Sequence, residues 1–212
     1  MEQYINTIQN IDCLEFMKTL PDKCVDLTLT DFPYGVEYGY DIYNDTEANL
    51  VELVNKAMPE ILRVSKRVIL TCGQTNMWKY PEPKWVMAWV NPAGNNRNSW
   101  GFTCWQPLLC YGKDPYLENR MGARQDIFIH NESVEKWIHK EHACPKPIEF
   151  WTKVLQRGSV KETDIIFDPF MGSGTTALAC MKLGRNYIGC EISKEYCDIA
   201  EQRIKSISNT LF

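Results

Sequence analysis

The stretch FDPFMGSGTT, from Phe167 to Thr176, joins an apolar run to a helical pattern, and it decides the fold. One residue separates Gly172 from Gly174, so the backbone can turn tightly and a ligand can approach without meeting a Cβ. A phosphate-binding P-loop is excluded, because Thr-Thr follows Gly174 where that motif requires Lys and then Ser or Thr. A dinucleotide-binding loop stays open, since Ala177 is an allowed substitute for its third glycine, and so does a plain strand-to-helix turn.

An acidic residue follows the next predicted strand. Glu191 stands 17 residues after Gly174 and directly after the predicted strand Asn186–Cys190. In units of this type, an acid at the end of the second strand accepts hydrogen bonds from two ribose hydroxyls. The spacing therefore predicts a nucleoside-binding site, and it does not distinguish a nicotinamide cofactor from another adenosine ligand.

Apolar β-branched runs alternate with helical patterns along the chain, which predicts an α/β fold with about seven, mostly parallel strands. The length of 212 residues suits one domain, so we expect a single domain over residues 1–212. The polar segment 91–99 between two aromatic strands predicts a hairpin with a long tip. The predicted strands are Tyr4–Ile8, Val25–Thr30, Arg67–Cys72, Trp85–Val90, Thr103–Tyr111, Asp164–Phe167 and Asn186–Cys190. The predicted helices are Cys13–Leu20, Thr46–Val64, Pro147–Arg157, Thr175–Leu183 and Ser193–Ile207.

A second polar segment, Asp31-Phe32-Pro33-Tyr34, ends the predicted strand Val25–Thr30. Ligands of parallel sheets bind at the carboxyl ends of strands, so we expect this segment in the same crevice as the glycine loop. Pro33 fixes its own φ and biases Phe32 toward an extended conformation, so that nearby carbonyls can point outward. With the Asp31 carboxylate and the flat ring of Tyr34, these acceptors suit a planar amino group. A strand-terminating turn would use the same residue types.

Taken together, these segments resemble the amino-methylating DNA methyltransferases, which act on the exocyclic amines of adenine or cytosine. In that family a (D/N/S)PPY tetrapeptide holds the target base and an FxGxG loop holds S-adenosylmethionine, and Asp31–Tyr34 and Phe170–Gly174 match them here. The base segment precedes the cofactor loop, which is the order of one permuted class, whereas glutamine-modifying methyltransferases carry the cofactor loop first. The resemblance implies a Rossmann-like, S-adenosylmethionine-dependent methyltransferase fold with circularly permuted motif order and a terminal β-hairpin.

The resemblance also implies which residues bind the cofactor and the base. Asp12-Cys13 looks like the family's acidic cofactor-contacting segment, and Lys146-Pro147 looks like its lysine–proline segment beside the methionine end of the cofactor. The implied catalytic residues are Asp31, Phe32, Pro33 and Tyr34. The implied cofactor-binding residues are Asp12, Cys13, Asp31, Lys146, Pro147, Asp168, Phe170, Gly172, Ser173, Gly174, Thr175, Glu191 and Ile192.

The family's reaction is direct methyl transfer, with Asp31 and the Phe32 carbonyl accepting the amine hydrogens and Tyr34 stacking on a flipped base. Aspartate at the first place favours adenine, because serine there is more usual in the cytosine enzymes. Phe32 stands where the family commonly has proline, which keeps the carbonyl but removes one rigid ring. The alternatives are methylation of the exocyclic amine of cytosine, a non-catalytic nucleic-acid-binding relative, and an RNA or small-molecule amine substrate.

The charge distribution gives little general attraction to DNA. The net charge is −4, and between Asn91 and Arg124 the basic residues exceed the acidic ones by only two. This thin basic footprint predicts weak, short-site recognition, a homodimer, or help from a partner. Residues 113–145 are the expected target-recognition excursion, and the expected DNA contacts are Arg97 at the hairpin tip, Lys113, Arg120 and Arg124.

Composition narrows the setting further. No apolar run approaches the roughly 18 residues of a membrane span, and the N-terminus lacks the features of a secretory signal, so we expect a cytoplasmic protein without membrane association. The nine cysteines show no CxxC spacing, which predicts buried thiols rather than a zinc site or disulfides. His139 and His142 are spaced HxxH without a cysteine pair nearby in the sequence, so we expect no metal site.

Overall fold

Strands and helices alternate along the computed structural model, which describes residues 1–37, 39, 42–94, 96–131 and 146–208. The strands are β1 (Thr7–Asn10), β2 (Leu27–Asp31), β3 (Arg67–Thr71), β4 (Trp85–Val90), β5 (Asn96–Asn98), β6 (Gly101–Thr103), β7 (Trp105–Gly112), β8 (Ile127–Ile129), β9 (Ile165–Asp168) and β10 (Asn186–Glu191). The helices are α1 (Cys13–Lys18), α2 (Glu47–Val64), α3 (Pro115–Glu118), α4 (Ile148–Gly158), α5 (Thr175–Leu183) and α6 (Lys194–Ser208).

Eight of the described strands form one sheet, in the order β1-β10-β9-β2-β3-β7-β4-β8. The first five of these strands are parallel to one another. Strand β7 is antiparallel to both of its neighbours, so β4 and β8 point in the same direction as β3. We call the edge where these seven strands end the carboxyl edge, and the opposite edge, where β3 begins at Arg67, the amino edge.

Helices cover both faces of the sheet, which explains why nearly every residue of its central strands is buried. Successive residues of β3 alternate between the two cores: Val68 and Leu70 pack on one face and Ile69 on the other. Helices α1 and α2 complete the first core, and α4 and α5 complete the second. The carboxyl edge therefore belongs to a sheet that is packed on both faces.

Most of the predicted elements are confirmed, and β4 and β7 form the expected antiparallel hairpin. The N-terminal strand begins later than expected, because residues 2–4 form a 3₁₀ turn and Asn6 has a left-handed φ of 59°. The predicted strand Thr103–Tyr111 is divided between β6 and β7. The tip of the hairpin, expected to be a loop, contains the separate two-stranded ribbon β5–β6.

The excursion expected in residues 113–145 contains α3 and β8 in its described part, and residues 132–145, with His139 and His142, lie outside the described residues. Because β8 pairs with β4, the hairpin is not terminal, and the sheet has eight strands rather than about seven. Strand β8 has only three residues, too few for an alternation of polar and apolar side chains to predict a strand. No helix in the described ranges is both long and apolar enough to cross a bilayer.

Packing of α4 on the sheet depends on a glycine. A Cβ at Gly158 would lie 2.7 Å from Leu27 Cδ2 and 2.8 Å from Ile69 Cδ1. We expect Gly158→Val to lower the free energy of unfolding, measured in urea, by about 1–3 kcal/mol, because it overpacks this contact. Gly73→Ala is the control, since its Cβ would meet only Asn76 Nδ2 at 4.0 Å. Equal stability of the two variants would contradict the close helix–sheet packing.

Candidate active site

Each of the five parallel strands ends in a polar residue at the carboxyl edge: Asn10, Glu191, Asp168, Asp31 and Thr71 in sheet order. Strands β9 and β2 are neighbours, which places the end of the predicted base segment next to the start of the predicted cofactor loop. The two motifs, which lie far apart in the chain, therefore share the carboxyl edge, as the sequence predicted.

Three side chains hold the Asp31 carboxylate. Thr71 Oγ1 and Tyr34 Oη donate to Oδ1, the latter at 2.9 Å, and Lys146 Nζ donates to Oδ2 at 2.5 Å. Thr71 comes from β3 and Lys146 from the segment before α4, so distant parts of the chain converge on this group. The carboxylate is thus held in one orientation by three donors.

Lys146 lies between this carboxylate and an aromatic ring. Its side chain is only 9% exposed, and Nζ is 5.1 Å from the centroid of the Tyr34 ring, within cation–π range. The Gln106 amide oxygen lies 3.1 Å from the Tyr34 hydroxyl, and Asn76 Nδ2 donates to the Tyr34 carbonyl. Burial, reinforced by the charge of Asp31, raises the pKa of Tyr34 well above its ordinary value, so its hydroxyl remains a donor.

Phe32 anchors the tetrapeptide from below. Its ring is 1% exposed and packs edge-to-face against Tyr80 and Phe170, with centroid distances of 5.3 and 4.6 Å. Because Phe170 belongs to the glycine loop, this contact also joins the two motifs. Aromatic packing therefore supplies rigidity that a proline ring would otherwise give at this position.

A second, fully buried carboxylate ties β2 to the glycine loop. Thr30 Oγ1 donates to Asp168 Oδ1 at 2.6 Å, the Phe170 amide donates to the same oxygen at 3.0 Å, and Thr176 Oγ1 donates to Oδ2 at 2.5 Å. Trp151 Nε1 in turn donates to Thr176 Oγ1 at 2.8 Å. Burial raises the pKa of Asp168 to about 6, and the three donors limit that rise. Since Thr30 directly precedes the tetrapeptide, Asp168 fixes both motifs.

Glu191 and the glycine loop hold each other. The Gly172 amide donates to Glu191 Oε2 at 2.8 Å, and the Ser193 amide donates to Oε1 at 2.9 Å. Gly172 and Gly174 have left-handed φ values of 52° and 86°, which favour glycine, and a Cβ at Gly174 would lie 2.9 Å from Ala200 Cβ. Burial raises the pKa of Glu191. Each carboxylate oxygen keeps a further lone pair, so Glu191 can still accept hydroxyl donors.

The other predicted cofactor residues lie at the starts of α1 and α4 and directly after β10. Asp12 caps α1 by accepting from the Leu14 amide at 2.8 Å, and Ile192, which directly follows Glu191, is half-exposed. Cys13 is buried, and burial raises the pKa of its thiol to about 12, so it is not a thiolate. Pro147 is the N-terminal cap residue of α4, next to Lys146.

Several side chains at the edge had no place among the predicted site residues. Arg203 is buried, and its Nη1 donates to the Ser173 carbonyl at 2.6 Å and approaches Thr175 Oγ1 at 3.4 Å, which supports the glycine loop from α6. Its position on the apolar face of the last predicted helix was the available signal. Thr71 could be found as the last-but-one residue of a predicted strand. Gln106 carried no comparable signal.

The predicted DNA contacts lie at two different edges. Arg97 is on the ribbon that joins β4 to β7 at the carboxyl edge, with its guanidinium 5.9 Å from the Phe102 ring centroid. The other three follow the end of β7, where Gly112 pairs with Arg67, so they lie at the amino edge: Lys113, Arg120 and Arg124. The structure brings Arg97, and not these three, to the edge that carries Asp31.

The anchoring role of Phe32 can be measured as stability. We expect Phe32→Ala to lower the free energy of unfolding by about 3–5 kcal/mol, because it deletes a buried aromatic ring. Phe102→Ala removes a ring that is 60% exposed, and it should change the free energy by less than about 0.5 kcal/mol. Urea denaturation compares both variants with the wild type, and similar small losses would show that the Phe32 ring is not an anchor.

Comparisons with known proteins agree with this architecture. The family model for DNA methylases (N6_N4_Mtase) matches residues 76–202. The Type II methyltransferase M1.MboII of Moraxella bovis is 43% identical, over 92% of this chain and 95% of that protein. The Type II methyltransferase M.HinfI of Haemophilus influenzae is 25% identical, over 98% of this chain and 70% of that protein.

Solved structures show the same fold. The complex of M1.HpyAVI with S-adenosylmethionine has a TM-score of 0.69 at 23% identity, covering 93% of this chain and 98% of that chain. The PvuII DNA methyltransferase, a cytosine-N4-specific enzyme, has a TM-score of 0.69 at 15% identity, covering 95% and 90%. These likenesses confirm the Rossmann-like methyltransferase fold. Since the family model matches more than half of the sequence, the chain belongs to the DNA methylase family, the S-adenosylmethionine-dependent amino-methyltransferases that modify N6 of adenine or N4 of cytosine.

Proposed function

We propose that this protein methylates N6 of adenine in DNA, by direct transfer to a base flipped out of the duplex. The observation that carries the proposal is the position of Lys146 Nζ, 2.5 Å from Asp31 Oδ2 and 5.1 Å from the Tyr34 ring centroid. A carboxylate and an aromatic face together bind a positively charged nitrogen. The target amine acquires positive charge as it forms its bond to carbon, so the same pair stabilises the transition state.

On this proposal the amine of the base replaces the Lys146 ammonium on Asp31. The carboxylate accepts one amine hydrogen and the Phe32 carbonyl accepts the other, which turns the nitrogen lone pair away from both. Tyr34 stacks on the base that has left the duplex, since a paired amine cannot reach the cofactor. Asp31 is then in place to take the proton that the nitrogen releases after it has gained carbon.

S-adenosylmethionine supplies the methyl group, as an electrophilic sulfonium, when it is bound. The residues present fit this cofactor. Glu191 retains lone pairs for the ribose hydroxyls, and half-exposed Ile192 offers an apolar surface to the adenine ring of the cofactor. The glycine loop, Asp12 and Pro147 complete the proposed cofactor site. Lys146, once displaced from Asp31, would help to hold the methionine end of the cofactor.

Adenine is preferred over cytosine on the first residue of the tetrapeptide. Aspartate at position 31 is the residue more usual in the adenine enzymes of the resembling family, and serine is more usual in the cytosine enzymes. Both bases present an exocyclic amine beside a ring nitrogen, so the Asp31 chemistry alone accommodates either. Product identity therefore decides between them.

The test is methylation of unmodified plasmid DNA of mixed sequence, with the product nucleosides identified by mass spectrometry. We expect N6-methyladenine from the wild type. Asp31→Ala should lower turnover by at least about 100-fold, because it removes a preorganised group that stabilises the developing charge. Asp126→Ala is the matched control, since Asp126 lies beside the first residue of β8 at the amino edge, and it should retain full turnover.

The other outcomes are distinct. If the product is N4-methylcytosine, the substrate base is cytosine rather than adenine, and the proposed role of Asp31 is unchanged. Cofactor binding without modification of single- or double-stranded DNA would contradict a catalytic DNA methyltransferase and favour a non-catalytic relative. Near-UV circular dichroism checks that each variant retains the native fold.

A further inference from the structure

The β5–β6 ribbon extends from the carboxyl edge of the sheet, which also carries Asp31. Val90, the last residue of β4, pairs with Trp105, the first residue of β7, and the ribbon occupies the chain between them. Gln106, the next residue of β7, lies 3.1 Å from the Tyr34 hydroxyl. One side chain therefore separates the root of the ribbon from the ring that is proposed to stack on the target base.

Two aromatic side chains at the end of the ribbon face solvent. Trp100, in the turn, is 98% exposed, and Phe102 is 60% exposed beneath the Arg97 guanidinium. The segment 91–112 contains no Asp or Glu, although the whole chain has a net charge of −4. Exposed aromatic rings beside a cation, without acidic residues in the segment, suit contact with a stacked polyanion.

The root of the ribbon is held by the backbone. The Asn91 amide donates to the Cys104 carbonyl at 2.8 Å, and the Gly94 amide donates to the Asn91 carbonyl at 2.9 Å. A Cβ at Gly94 would lie 2.4 Å from the Thr103 carbonyl oxygen, so glycine is needed for the two arms to approach this closely. The Trp100 indole is consequently presented from a fixed root rather than from an unanchored loop.

We propose that this ribbon enters the DNA duplex beside the target base, and that Trp100 stacks on the bases left behind when the target flips out. The inference rests on the proposed function, which requires a flipped base. Flipping costs unstacking and unpairing, and an aromatic side chain that restores stacking offsets part of that cost. Trp100 is thus a positioning residue for the flipped state, and it does not touch the reacting atoms.

The test uses duplexes that carry the methylated site once it has been mapped, with the target base either correctly paired or mispaired. A mispaired base is easier to flip, so its flipping depends less on a side chain that restores stacking. We expect Trp100→Ala to slow methylation of the paired duplex by about tenfold or more, and that of the mispaired duplex much less. Trp100→Phe, which keeps a stacking ring, should recover most of the paired rate. Trp85→Ala is the control, because Trp85 is 60% exposed at the start of β4 on the amino edge.

Three results for Trp100→Ala would overturn the stacking role of Trp100 and leave the methyltransferase proposal intact. They are unchanged methylation rates, equal slowing on both duplexes, and a wild-type dimer that becomes a monomer in sedimentation when Trp100 is replaced. The last would identify the ribbon as a surface between two copies of the chain. A wild type that modifies neither duplex would instead contradict the proposed function, and with it the stacking role of Trp100.

Discussion

The buried carboxylate of Asp168 is the constraint on which the carboxyl edge depends. Its donors come from β2, from the glycine loop and from α5, so one group sets the positions of the strand that carries Asp31 and of the loop assigned to the cofactor. Removing a carboxylate from water is costly unless hydrogen bonds compensate, and the rise in the pKa of Asp168 to about 6 reflects the part that remains uncompensated. The fold tolerates this cost at the point where two motifs must meet.

The site around Asp31 holds charged groups in fixed positions, and the proposed reaction uses no nucleophilic side chain. Asp31 is oriented by Thr71 and Tyr34 and already holds an ammonium group, that of Lys146. Once the Lys146 ammonium is displaced, a carboxylate that is already oriented toward a cationic nitrogen can stabilise the amine that becomes cationic in the proposed reaction. The charge distribution also favours contact between DNA and the β5–β6 ribbon, because the segment 91–112 has no acidic residue in a chain that is acidic overall.

The sequence predicted the α/β class, most strands and helices, and the meeting of the two motifs, because hydrophobic period and strand ends are local properties. It could not predict partners that depend on register, such as Thr71 and Gln106, which reach the site only because β3 and β7 pair as they do. Strand β8 escaped because three residues carry too little periodicity. Lys113 and Arg124 were chosen by charge alone, and the antiparallel course of β7 carries them to the amino edge. Phe32, which interrupts the family motif, became interpretable only once its packing was known.

The most direct test of this account is a crystal structure of the protein with S-adenosylhomocysteine and a duplex that contains the mapped site. The account predicts that the exocyclic amine of a flipped base lies within hydrogen-bond distance of Asp31, with Lys146 Nζ displaced from that carboxylate and Tyr34 stacked on the base. A complex in which the Lys146–Asp31 ion pair is intact, and the target base is bound elsewhere or remains paired, would contradict it.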